Sequence, residues 1–512
     1  MNQLDLNQEK LNNDLDINDS SDISNEELKV EFENDDFSRN QDKKIVKNIF
    51  FVALSNIITL LAGVLVGFVV PKMMSIEDHG YYRIFTLYFG YVGLFHLGFV
   101  DGIYLYFAGE KYDKLNREKF RLFSRFLFVF QSIVLLIVVG ISMFFMGSEY
   151  MPILLFIGIS LLANNLTTYY QMISQITYRF KELSIINSLK SILTIVSVLV
   201  LFLIYKFTDV GLINYQIYVI IFLGIQYLLT IFYVIAYRDI TFGKSEKFKE
   251  NRDEILGFFK LGFPLLLANF VSVLLLNIDR QFVSIWFTTE EYSMYAFAYN
   301  LLSLVTTTIG AIATVLYPSL KTKKKNELKK SYHSINAVIM SIVTIGLMGY
   351  FPLSFIVEWI LPKYVDSLTF YKIVSPGLLY SSSVTIILAN YYKSINKVRT
   401  FFIISLGALV LSIIADIVVY YTIGTMESIS YASVGVLFIY YIVAEIIMTK
   451  KLNIINFKNL IYSILIVTFF YLSVYLISNI YIQMTVFVLS GLIILLIFNY
   501  KPIIKLLKNQ LL

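Results

Sequence analysis

What most constrains this chain is a succession of long apolar stretches separated by short polar breaks. A helix needs about 20 apolar residues to cross the hydrocarbon core of a bilayer. Fourteen such stretches are legible: 48–71, 81–107, 122–146, 151–177, 184–206, 212–237, 256–287, 292–317, 334–360, 368–392, 400–422, 429–449, 459–479 and 481–500. They run continuously instead of alternating over ten-residue segments, so helices and not barrel strands are predicted. The expectation is an all-α polytopic membrane protein of about 14 transmembrane helices. Composition agrees: 57% of the 512 residues are hydrophobic and 15% are charged, against about 25% charged in soluble proteins. A soluble chain of this size has too little interior to hide that much apolar surface. A soluble enzyme, a coiled coil, a fibre and a disordered chain are thereby excluded.

Charge divides the chain. Residues 1–42 hold 13 acids and 3 bases, whereas 43–512 hold 23 acids and 39 bases, so the net +6 joins an acidic tail to a basic body. Too few apolar residues lie in 1–42 to offset chain entropy, and a disordered cytoplasmic tail is expected. It is long, acidic and without an apolar core, unlike a signal peptide. With no cysteine, disulfides, thiolate zinc sites and cysteine nucleophiles are excluded.

Orientation follows from basic residues in the breaks. With the N-terminus in the cytoplasm, 31 bases fall on the cytoplasmic side and 3 (Lys72, Lys206 and Lys363) on the other, with both termini inside. Trp286 and Trp359 then fall at outer span ends, where aromatic belts belong. The Lys321–Lys330 run reads as a positive-inside loop that also touches anionic lipid headgroups, not as a nucleic-acid patch. Two outer breaks are alike: SIEDHGYY (Ser75–Tyr82) and TTEEYSMY (Thr288–Tyr295), 213 residues apart. Each links an odd span to the next. This predicts two parallel six-helix halves, 43–240 and 250–450, with two further helices over 457–502. Pro264 and Pro376 lie inside spans; Pro264, with Gly262 beside it, is read as a bend in span 7.

Most spans carry no charge, which makes the exceptions functional candidates. In the outer half lie Arg83, Asp279, Arg280, Lys372 and Asp416; in the inner half lie Asp101, Lys190 and Lys260. Lys260, Arg83 and Lys372 are near enough to span ends to snorkel. Arg280 is seven residues from Phe287, roughly 10 Å deep at 1.5 Å per residue. Arginine stays protonated, so it needs a carboxylate, water or an anionic ligand. Two readings stand for it: a structural pair with Asp416, or an anion site in a wet cavity between the halves. The bases outnumber the acids, which fits a phosphate-bearing substrate better than an organic cation. Polar residues cluster too: Asn164, Asn165, Thr167, Thr168 and Gln171 in span 4, Asn269, Ser272 and Asn277 in span 7, Tyr295, Tyr299 and Asn300 in span 8. They glue helices together or line a path for a sugar.

There is no GxxxxGK[ST] phosphate loop, no HExxH and no GxSxG, and His79, His96 and His333 are scattered. No enzyme activity, metal or cofactor is expected.

The stretch VVPKMMSIEDHGYYRIFTLYFGYVGLFHLGFVDG (Val69–Gly102) resembles the first two spans of the polysaccharide flippases of the multidrug/oligosaccharidyl-lipid/polysaccharide exporter (MOP) superfamily. LGFPLLLANFVSVLLLNIDRQFVSIWFTTEEYSMYAFAYNLL (Leu261–Leu302) resembles their seventh and eighth spans, with the pair Asp279–Arg280, and ILPKYVDS (Ile360–Ser367) their loop after span 9. The resemblance implies a flippase of the bacterial cytoplasmic membrane. Its substrate would be undecaprenyl-diphosphate-linked oligosaccharide, carried by alternating access for capsule, O-antigen or teichoic-type polymers. It further implies coupling to H+ or Na+ and a downstream polysaccharide polymerase. Arg280, Asp279, Arg83, Lys372, Asp416, Lys190, Asp101 and Asn277 are the expected cavity residues. A drug/cation antiporter of the same superfamily is the alternative. A membrane glycosyltransferase or polymerase is disfavoured by the short outer loops.

Overall fold

The computed structural model describes residues 54–208, 211–321, 323–454 and 457–510, apart from the side chains of 307–315, 317–319, 321 and 505–510. The expected acidic tail, 1–42, and the start of the first span lie outside these. Among the described residues there are helices and no strands. In chain order they are α1 (Leu54–Met73), α2 (Ile76–Phe89), α3 (Phe99–Tyr106), α4 (Arg117–Ser142), α5 (Tyr150–Ile176), α6 (Phe180–Phe207), α7 (Tyr215–Ala236), α8 (Arg252–Leu275), α9 (Ile278–Trp286) and α10 (Thr289–Lys321). There follow α11 (Lys325–Met348), α12 (Tyr350–Ile360), α13 (Ser367–Val374), α14 (Gly377–Ser382), α15 (Ala389–Ser394), α16 (Val398–Thr422), α17 (Met426–Leu452), α18 (Lys458–Leu476) and α19 (Ile480–Gln510).

Among the described residues eleven helices are long and apolar enough to cross a membrane, or up to thirteen if each of two bent pairs makes one span. The remaining expected stretch, 292–317, falls within α10, which is outside those thirteen. Its first half carries Ser293 and Asn300, both buried, which suit contact with protein better than with lipid.

The spans break where the sequence carries little warning. α2 and α3 meet at 60° across Leu97 and Gly98, both with positive φ (51° and 85°). The turn between them leaves carbonyls that a bilayer cannot satisfy. Gln131 of α4 donates to the Phe95 carbonyl at 3.0 Å, and Asn165 of α5 donates to the Val92 carbonyl at 3.3 Å and to Gln131 Oε1 at 2.7 Å. The seventh span breaks at Leu276–Asn277, and α8 runs on through Pro264 without interruption. Gly262 serves close packing instead. A Cβ there would lie 1.9 Å from the Gly98 carbonyl oxygen, and one on Gly102 would lie 2.1 Å from that of Phe258, so α3 and α8 cross at backbone contact. At Pro376 the tenth span does bend, by 48°, and then passes through a π-helical turn over Ser383–Leu388.

The breaks gather at two ends. At one, Arg179 lies between the rings of Tyr112 and Tyr237, 4.4 and 4.7 Å from their centroids, and Arg121 donates to the carbonyls of Asp239 and Lys244. At the other, Ile213 N donates to Met73 O at 2.8 Å, Lys363 Nζ donates to Met74 O, and His79 Nδ1 lies 2.8 Å from Ser293 Oγ. The two similar loops are here the same device. Ser75 caps α2 by accepting from Asp78 N at 2.9 Å, and Thr288 accepts from Glu291 N at 3.3 Å at the start of α10. Each has a polar cap with an acid three residues on; at Thr288 the Glu291 carboxylate also accepts from the cap's backbone N–H at 2.9 Å, a capping box, whereas at Ser75 Asp78 accepts from the cap hydroxyl at 2.7 Å. They also touch: a Cβ on Gly80 would lie 2.3 Å from the Thr289 carbonyl oxygen.

Candidate functional site

The break after α8 builds the site. An ended helix leaves carbonyls without intrahelical donors. Asn277 Nδ2 donates to Val273 O at 2.7 Å, and Arg280 Nη2 donates to Leu276 O at 2.6 Å. Arg280 thereby lies over the ring of Tyr299, 4.6 Å from its centroid, a cation–π contact. Its Nε is buried without an acceptor. Asp279 is buried in the first turn of α9 and accepts from Tyr295 at 2.8 Å and from Tyr299. Tyr299 thus offers its face to the cation and its hydroxyl to the anion.

Asp279, Arg280 and Tyr299 line a cavity of about 270 Å³, together with the hydroxyl side chains Ser381, Thr385, Ser412 and Ser433. A second cavity, about 450 Å³, shares Leu275, Leu276, Ser381 and Thr385 with it and continues along α8 past Asn269. Their linings fall within residues 265–440. Elsewhere α2 meets α10, and α3 meets α8, backbone against backbone.

The expected residues divide accordingly. Asp416 of α16 is fully buried, neither carboxylate oxygen has a hydrogen-bond partner, and its charge interacts with that of Asp279. The pair expected between Arg280 and Asp416 does not form: among the described residues neither makes an ion pair, because Arg280 is held by the Leu276 carbonyl and Tyr299. Arg83 of α2 has a buried Nε without an acceptor, and its charge interacts with Arg280 and Tyr292. Lys372 turns away, its Nζ 4.7 Å from the Tyr475 ring centroid on α18. Lys260 is exposed. Asp101 is buried in the first turn of α3, 3.7 Å from His96 Nδ1. Lys190 lines a separate cavity of about 80 Å³. The expected excess of bases therefore does not converge on one cavity. Ser412 and Ser433 escaped notice, since a lone serine in an apolar helix carries no signal; the one clue was Ser412 four residues before Asp416.

Three solved structures illustrate what this chain is similar to. One is the lipid II flippase MurJ in an inward closed conformation, 18% identical, covering 89% of this chain and 99% of that one, with a TM-score of 0.64. Another is an inward-facing multidrug resistance MATE family transporter of the MOP superfamily, 12% identical, covering 78% and 94%, with a TM-score of 0.53. A third is a MOP superfamily transporter from Pyrococcus furiosus noted for the reverse polarity of its binding pocket, 13% identical, covering 80% and 96%, TM-score 0.51. No curated protein sequence matches the chain. At these identities the likeness is one of fold, and the fold is that of the MOP-superfamily transporters, a multi-pass membrane architecture. The family model for "Polysaccharide biosynthesis protein" matches residues 45–322, more than half of the chain, and the chain belongs to that family.

Proposed function

We propose that this protein is a flippase that moves undecaprenyl-diphosphate-linked oligosaccharide repeat units across the bacterial cytoplasmic membrane, with both termini in the cytoplasm. The observation that carries the reading is Arg280: a half-buried guanidinium on a cavity wall, without a carboxylate partner, whose buried Nε–H has no acceptor and is left to donate to an anionic group. Arginine's fork suits a diphosphate, and the hydroxyl groups of Ser381, Thr385 and Tyr299 on the same wall suit a sugar. Two six-helix halves, 43–240 and 250–450, would rock about the α2–α10 and α3–α8 contacts, opening one end while the other closes. The translocated units would pass to a polysaccharide polymerase on the outer face.

Asp416 supports a coupling ion. A fully buried carboxylate without donors carries a proton or holds a cation, and Asp279 beside it makes H+ or Na+ the natural candidates. The same two acids are what a drug/cation antiporter would use for its cargo. Export of surface polymer from cells carrying Arg280→Ala separates the two readings. Loss of polymer with normal protein level supports the flippase; normal polymer, with drug resistance that depends on Asp416, supports the antiporter.

A further inference from the structure

The small cavity around Lys190 is distinct from the Arg280 site in place and chemistry. Lys190 lies six residues after Ser184, where the apolar stretch begins, or about 9 Å along the helix axis. That is within the inner half of a hydrocarbon core of about 30 Å. The cavity wall is mostly polar, with Asn164, Thr167 and Gln171 from α5, Asn187 from α6, and Gln226 and Tyr233 from α7, beside the apolar Ile186 and Leu229. No carboxylate lines it, and among the described residues Lys190 makes no ion pair. Two buried polar atoms of lining residues have no hydrogen-bond partner: Tyr233 Oη, whose proton is available to an anion, and Gln226 Oε1, an acceptor that suits the lysine ammonium. Gln171 Nε2 donates to Asn187 Oδ1 at 3.3 Å, which leaves the Asn187 amide donors unused.

A lone ammonium at this depth needs a counter-charge. At about 80 Å³ the space holds a few water-sized occupants. Sugars and diphosphates need pockets of roughly 300 Å³ or more. A halide fits: one positive charge and several N–H and O–H donors, with no fixed geometry, are what a spherical anion requires.

We propose that the Lys190 pocket binds a single halide ion, chloride in the cell, which neutralises the lysine and ties α5, α6 and α7 together. The test is the unfolding midpoint of the purified full-length protein in sodium chloride against sodium gluconate at equal ionic strength. Chloride and bromide are expected to raise Tm saturably over gluconate. Lys190→Gln is expected to abolish that increment, and Arg280→Ala to keep it. Gln226→Leu, which leaves the lysine in place, is expected to raise the half-saturating chloride concentration roughly tenfold; this variant serves if Lys190→Gln does not fold. Equal Tm in both salts for the unmodified protein overturns the proposal and leaves a water-filled pocket. An increment that survives Lys190→Gln but is lost in Arg280→Ala also overturns it, placing the anion in the larger cavity.

Discussion

Arg280 occupies the cavity wall because the helix before it stops, and the freed Leu276 carbonyl takes one arm of the guanidinium. The guanidinium lies over the Tyr299 ring, and Arg280 lines the cavity. Arg280→Ala is expected to reduce polymer export to background while protein level and membrane insertion stay normal, as measured by surface polymer yield and immunoblot. Arg280→Lys is expected to restore export only in part, since an ammonium offers no planar fork. Asp416→Asn keeps the shape and removes the charge. Transport by that variant is expected to lose its dependence on an imposed H+ or Na+ gradient, measured in proteoliposomes; unchanged dependence would remove Asp416 from coupling. At this scale Arg280 stood out in the sequence, because a base that cannot deprotonate is conspicuous in an apolar run. Its true partners were not legible. They are a backbone carbonyl and a tyrosine face, neither of which differs in sequence from its neighbours.

Among the elements, the breaks carry the architecture, and proline was a poor guide to them. Pro376 marks a bend of 48°. Pro264 does not interrupt α8, whereas the breaks at Leu97–Gly98 and Leu276–Asn277 contain no proline. The first persists because side chains of α4 and α5 satisfy carbonyls before it, pairings over long sequence separation that leave no local pattern; at the second, Asn277 and Arg280 satisfy carbonyls four residues before them. The glycine at 98 was legible only as part of a Gly-rich helix end; its role is set by α8 lying against it. Gly262→Val would place Cβ 1.9 Å from the Gly98 carbonyl oxygen. It is expected to push α3 from α8 and to abolish export, with lower yield or Tm. Pro264→Ala is expected to retain export, with Tm equal or higher, since alanine suits a helix interior better than proline by about 3 kcal/mol in peptides. Loss of export from Pro264→Ala with normal protein level would restore the proline as a hinge.

For the whole molecule, the long apolar runs made an all-helical membrane protein legible, and the two similar loops each place a polar cap at a helix start, Ser75 and Thr288. What the runs did not convey is where space is left. Cavity position depends on how closely α2, α3, α8 and α10 approach, and that is a property of the packed bundle. Orientation is open to direct chemistry, because the chain has no cysteine of its own. Ser148 and Lys324 are both exposed. A membrane-impermeant thiol reagent is expected to label Ser148→Cys on intact cells and Lys324→Cys only after permeabilisation; the reverse pattern would invert the topology. The central claim is that this protein carries a lipid-linked oligosaccharide across the bilayer. It is tested most directly by the rate at which the purified protein, reconstituted in vesicles, brings labelled undecaprenyl-diphosphate oligosaccharide to the opposite leaflet. The unmodified protein is expected to raise that rate well above empty vesicles and Arg280→Ala to leave it at background. A rate equal to that of empty vesicles, or one untouched by Arg280→Ala, would contradict the account.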